Sequence, residues 1–220
     1  MDFSFLAVVV VTLVLGLGSQ AIIKGTFKKW SKVPASSHLS GAQAAQKMLQ
    51  ANGLNNVTIQ KVGGDLSDHF DPRTNSIALS ESVFDGRSVA SIAVACHEAG
   101  HAVQHAQKYV PSRIRGAFVP VVSIASNAWM FVLIAGVMLN IMGLYLLAIG
   151  LYVAVIAFQL MTLPVEFNAS SRALAYIRSY GYLPPQETKG AGSVLRAAAF
   201  TYVAAALASL LYLLHLLSRR

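Results

Sequence analysis

From Ala117 to Leu163 the chain reads AFVPVVSIASNAWMFVLIAGVMLNIMGLYLLAIGLYVAVIAFQLMTL, without one Asp, Glu, Lys or Arg. At about 47 residues the run is too long for one bilayer crossing and suits two of ~20 residues each. Asn140 to Gly143 is the natural turn, with Gly136 nearby. The stretch therefore predicts a transmembrane hairpin, roughly 117–139 and 143–163. A hairpin returns the chain to the side it left, so whatever precedes residue 117 and whatever follows residue 163 share one membrane face.

The composition agrees with a membrane protein. Of 220 residues, 55% are hydrophobic and 12% charged, and the mean hydropathy is +0.56, whereas a soluble domain carries about 25% charged residues. Phe3 to Ile23 is a further uncharged span. It is too long for a signal-peptide core and has no A-x-A-like site, so it is read as an anchor. Lys24, Lys28, Lys29 and Lys32 follow it, and Arg113 and Arg115 precede the hairpin; both groups argue for a cytoplasmic side, with the N-terminus outside. Ser193 to Leu217 is a fourth apolar segment, closed by Arg219–Arg220. The formal charge of +8 fits membrane orientation better than nucleic-acid binding. A single cysteine, Cys96, excludes an internal disulfide and reads as a buried thiol.

The predicted fold is mainly α: a multi-span membrane protein of about four transmembrane helices with a small α+β segment. Its parts are an anchor (1–23), a polar segment (24–116), the hairpin (117–163), a second polar helix and loop (164–192) and a C-terminal transmembrane helix (193–220). The polar segment holds 11 of the 17 Lys and Arg. Within it, a helix starts at Ser40 or Gly41 and stops near Asn52–Gly53, and Val57–Val62 and Ser76–Leu79 read as short strands. Asp65 to Asn75 reads as loop, Ser80 as the N-cap of a short turn, and Ser88 to about Lys108 as one buried helix ended by Pro111. After the hairpin, Pro164 opens a new helix that runs to about Ser179. Glu187 then falls in a loop.

The buried helix carries His97-Glu98-Ala99-Gly100-His101. Histidines at i and i+4 lie on one face, about 6 Å apart along the axis at ~1.5 Å rise per residue. Two imidazoles so placed fill two positions of a zinc site, and Glu98 reaches a water there as general base. A hydrolytic zinc site needs a third protein ligand. His105 lies about 12 Å from His97 along the same helix and is too far. The HExxHxxGxxH pattern also fails, because Gln104 and Gln107 replace its Gly and His. No Asp follows Asp85, which weighs against an intramembrane protease that draws its ligand from a distant Asp. Glu166 and Glu187 are the remaining downstream carboxylates. Glu166 is favoured because it opens a helix on the same membrane face. His69, beside Asp68 and Asp71, is the alternative as ligand or as transition-state donor.

The stretches Asp68-His69-Phe70-Asp71-Pro72-Arg73, Ala95 to Gln104, Leu163 to Ser170 and Leu195 to Tyr202 together resemble the neutral zinc metallopeptidase family known as zinc metallopeptidase 2, membrane proteins widespread in bacteria. The resemblance covers nearly the whole chain. It implies a gluzincin-like peptidase binding one Zn²⁺ per chain through His97, His101 and Glu166, with Glu98 as base. It also implies a bacterial inner-membrane location, and the basic residues flanking the spans put the expected active site on the cytoplasmic side. More distantly the chain is similar to heat-shock and prenyl-protein membrane zinc proteases, whose second ligand helix carries Glu-x-x-x-Asp. Here the last position is Ser170, and Asn168 stands where Asp is expected.

The expected activity is endopeptidase cleavage of protein or peptide substrates, membrane proteins included, in contact with the lipid bilayer and without nucleic acid. The Ser76–Leu79 strand would align an extended substrate by edge pairing. The competing class is a non-cleaving membrane scaffold that keeps the metal site, suggested by the missing carboxylates at 168 and 170. Blander readings apply elsewhere. Arg172 and Arg178 face solvent or headgroups, Tyr176, Tyr180 and Tyr182 anchor at the interface, His215 packs between helices, and the macrodipole of a helix start suits Glu166. Substrate identity and oligomeric state are not encoded in any motif.

Overall fold

The computed structural model describes residues 3–218. Asp2 and Arg219–Arg220, which bear on membrane orientation, lie outside the described residues. The elements are α1 (Phe3–Ser31), α2 (Gly41–Ala51), β1 (Thr58–Val62), β2 (His69–Asp71), β3 (Ser76–Ser80), α3 (Glu81–Phe84), α4 (Val89–Ala106), α5 (Val110–Met138), α6 (Met142–Ser179) and α7 (Pro185–Ser218). The protein is mainly helical with a small sheet. Four helices, α1, α5, α6 and α7, are long and apolar enough to cross a membrane.

The chain divides into two compact units. One comprises residues 1–20, 110–164 and 200–220 and contains the apolar parts of those four helices. Its surface exposes large aliphatic and aromatic groups such as Val14, Leu17, Ile124, Phe131 and Val137. Lipid can solvate such a surface and water cannot. Inside this unit Trp129, Tyr152 and Tyr212 pack ring against ring. His215 lies 5.5 Å from the Phe5 ring, the interhelical contact expected of it.

The other unit comprises residues 21–109 and 165–199. Its core is one cluster built on α2, α4 and β3, with Met48, Leu49, Ile77, Leu79 and Ile92 almost fully buried. Local chemistry sets the helix starts. Ser40 and Gln43 form a reciprocal capping box at α2, and the Ser88 hydroxyl accepts the Ser91 amide at 3.1 Å to begin α4. The strand order is β1-β3-β2, with β1 parallel and β2 antiparallel to β3.

Several sequence expectations are corrected here. The Asp65–Asn75 loop contains β2, a three-residue strand too short to show alternation. β3 lies in the middle of the sheet, with every residue buried. Both its edges are paired, so it cannot accept a substrate strand. Pro164 starts no helix: α6 runs through it unbroken. A proline removes one donor, and where lipid offers no substitute partner the neighbouring helical bonds are kept. Pro111 lies in the first turn of α5, not at the end of α4. Glu187 lies in the first turn of α7. Its carboxylate accepts the Ser36 amide at 3.0 Å and the Ser36 hydroxyl. Tyr176 is buried in the core of this unit, with its hydroxyl 3.0 Å from that of Tyr182.

Candidate metal centre

The pentad occupies the middle of α4, and α6 supplies what it lacks. Gly100 makes the approach possible. A Cβ there would stand 2.8 Å from the Ala169 carbonyl oxygen, closer than atoms allow, so only glycine lets the two backbones come this near. Glu166 lies almost one turn before Ala169 and is brought to the histidines.

Three ligand atoms converge. His97 Nε2 is 3.2 Å from His101 Nε2 and 3.3 Å from Glu166 Oε2, and His101 Nε2 is 3.6 Å from the same oxygen. Ligands ~2.0–2.1 Å from a tetrahedral zinc stand about 3.3–3.4 Å from one another. The triangle has that size, and two imidazoles with one carboxylate are a donor set zinc accepts. The residues present therefore fit the ion. Among the described residues this is the one group of three or more His, Cys, Asp or Glu close enough to hold a metal.

Glu98 lies close enough to His101 for its charge to act on that ring. It is 7% exposed, and among the described residues no side chain or backbone group binds its carboxylate. Burial works to lower the pKa of His101. Hydrogen bonding and charge from Glu166, with Glu98 and Gln104, outweigh it and hold the group above its ordinary value. Protons thus compete with a metal for this imidazole as pH falls. Cys96, next in sequence to His97, is fully buried and its thiol is pushed up to about 12 by that burial. It is a core thiol and no ligand.

The other nitrogen of each histidine is also held. His97 Nδ1 meets Ser170 Oγ at 3.1 Å, and His101 Nδ1 meets Gln104 Oε1 at 3.0 Å. Ser170, a departure from the Glu-x-x-x-Asp pattern, thus stands on His97 where a carboxylate was expected. Gln104 in turn donates to the Val165 carbonyl and to Asn168 Oδ1. Arg172 is half-buried; it donates to Asn168 and to Gln107 and lies over the Tyr109 ring, so side chains hold it where a solvated or headgroup-facing residue was expected. Gln104 and Gln107, the residues that break the HExxHxxGxxH pattern, are therefore structural partners of the centre. The sequence held one signal for Gln104: a buried amide on an apolar helix needs partners.

The remaining candidates are placed elsewhere. His105 is exposed and stacks 5.8 Å from Phe70. His69 is exposed on β2 and donates Nδ1–H to the Ser67 carbonyl at 2.8 Å; it is not a member of the converging group. Glu166 stands well inside α6, so a helix-start macrodipole does not account for it.

Residues 5–220 match the family described as "Putative neutral zinc metallopeptidase". The chain belongs to this family. It is 45% identical over 210 residues, 96% of this chain and 93% of the relative, to a Bacillus subtilis (strain 168) protein named "Putative membrane protease YugP". No solved structure matches the chain.

Proposed function

We propose that the protein is a membrane-embedded zinc endopeptidase. The observation that carries this is the convergence of His97 Nε2, His101 Nε2 and Glu166 Oε2 at tetrahedral spacing beside an untethered Glu98. The two histidines and Glu166 would hold the ion, one per chain, making a gluzincin-type HExxH site. Zinc bound there supplies a Lewis acid that polarises the scissile carbonyl and acidifies a water. Glu98 then takes the proton of the attacking water and passes it to the departing amine. Its burial and lack of competing partners keep both oxygens available for that transfer. The outer edge of β2 has no strand neighbour among the described residues. β3 is enclosed and β1 and β2 are the two edge strands; β2 packs against α4, where Phe70 meets His105, and is the edge that an extended substrate would pair with.

Protein or peptide substrates, membrane proteins among them, suit a site carried by a chain with four apolar helices. The lysines after the first span and Arg113 and Arg115 before the hairpin favour a cytoplasmic active site in a bacterial cell membrane.

The test is the purified protein in detergent, assayed for bound zinc and for cleavage of casein and of membrane proteins, against Glu98→Gln. We expect stoichiometric zinc in both and cleavage lowered by about 10²–10⁴ in the variant. Equal cleavage by the two proteins would sink the mechanism. The scaffold reading drew its support from Asn168 and Ser170. Both have hydrogen-bond partners around the two histidines, which favours the cleaving reading, and the same comparison decides between the two.

A further inference from the structure

The hydrogen bonds behind His101 have a direction, and it begins at Arg172. A guanidinium can only donate. Its Nε donates to Asn168 Oδ1 at 2.7 Å, which identifies that atom as the amide oxygen. Gln104 Nε2 donates to the same oxygen at 2.9 Å and to the Val165 carbonyl at 2.8 Å. Both partners are acceptors, so Gln104 must turn its nitrogen to them and its oxygen to His101. That oxygen cannot donate, so the proton between it and His101 belongs to Nδ1. In a neutral imidazole Nε2 is then the bare nitrogen. It is the atom that faces His97 and Glu166.

We propose that Arg172 is a positioning residue for the metal centre: acting through Asn168 and Gln104, it fixes the tautomer of His101 and aims the Nε2 lone pair at the ion. The assignment rests on the zinc reading above. Gln104 is fully buried, so a reversed amide would set its oxygen against two other oxygens with no water to relieve it. Arg172 is itself fixed, because Nη1 donates to Gln107 Oε1 at 2.7 Å and Cζ lies 6.0 Å from the Tyr109 ring. The relay uses only the acceptor oxygen of residue 168. An asparagine therefore serves where an aspartate was expected.

Two measurements on the full chain in detergent test this. One is zinc affinity by competition with a chromophoric chelator; the other is the ring ¹H–¹⁵N spectrum of the zinc-free, histidine-labelled protein. Recorded at a pH high enough for His101 to be neutral, the parent is expected to carry its single ring proton on Nδ1. Gln104→Leu is expected to weaken zinc binding about 10- to 100-fold and to mix the tautomers, and Arg172→Gln, which leaves the Val165 carbonyl on Gln104, to do both to a smaller but measurable degree. Asn168→Asp, whose carboxylate accepts both bonds, holds the parental tautomer, and Asn168→Leu releases it. A group that merely staples the two helices would lower the melting temperature and leave the tautomer unchanged, which overturns the proposal. An Nε2-protonated parent overturns it as well, and that spectrum is read whether or not a variant folds. Zinc bound equally by the parent and Arg172→Gln refutes the relay alone, whereas a parent that binds no zinc refutes the zinc reading itself.

Discussion

Gly100→Ala isolates the contact that brings the two ligand-bearing helices together. The added Cβ would lie 2.8 Å from the Ala169 carbonyl oxygen and 3.3 Å from its carbon and Cα, where ordinary contact starts at 3.4 Å. The obstacle is backbone and cannot rotate aside, so α6 must retreat by roughly 0.5 Å, the kind of shift that overpacking forces. Glu166 moves with it. A zinc centre holds its bond lengths within ~0.2 Å, so the third ligand is displaced by more than the ion tolerates. Stability alone gives a mixed signal. Alanine gains about 1 kcal/mol over glycine in helix propensity, and overpacking costs about 1–3 kcal/mol. Zinc affinity gives a clear one: the dissociation constant should rise about tenfold, equivalent to ~1.4 kcal/mol. Chelator competition measures it, with thermal unfolding of the metal-free protein as companion. A variant that melts higher and binds zinc as the parent does would refute the claim that this close approach sets the position of Glu166.

Two further outcomes follow from the same geometry. Ser170→Ala leaves His97 Nδ1 without its partner and should weaken zinc about tenfold or more, while Ser170→Asp should keep or strengthen it; chelator competition again reports both. Cys96 titrates near 12 when folded against about 8.5 in an unfolded chain. The folded state thus favours the neutral thiol, a contribution present below the unfolded value and lost as pH rises from about 8.5 towards 12. At pH 8, iodoacetamide should leave the native protein unlabelled and label it fully in denaturant, and rapid native labelling would contradict the burial.

Much of the protein was legible from one dimension because lipid imposes simple rules. A 47-residue uncharged run must cross twice, since no backbone can sit unpaired in hydrocarbon, and the hairpin followed. The pentad was legible because helical periodicity alone puts His97 and His101 on one face. Glu166 was reached by exclusion among the few remaining carboxylates. Other features depended on contacts between distant segments, which periodicity does not carry. β2 is too short to pattern, and only its pairing with β3 reveals that β3 is enclosed. Gly100 reads as a weak helix residue until Ala169 is seen against it. Ser170 and Asn168 looked like losses because the sequence gives their type, but not the partner that makes a hydroxyl or an amide oxygen sufficient. The sequence by itself determined the apolar spans and the residue types of the candidate metal centre. The tertiary structure alone decided which nitrogen of each histidine faces the centre, because that choice is made by hydrogen bonds between residues 61 to 73 positions apart in the chain.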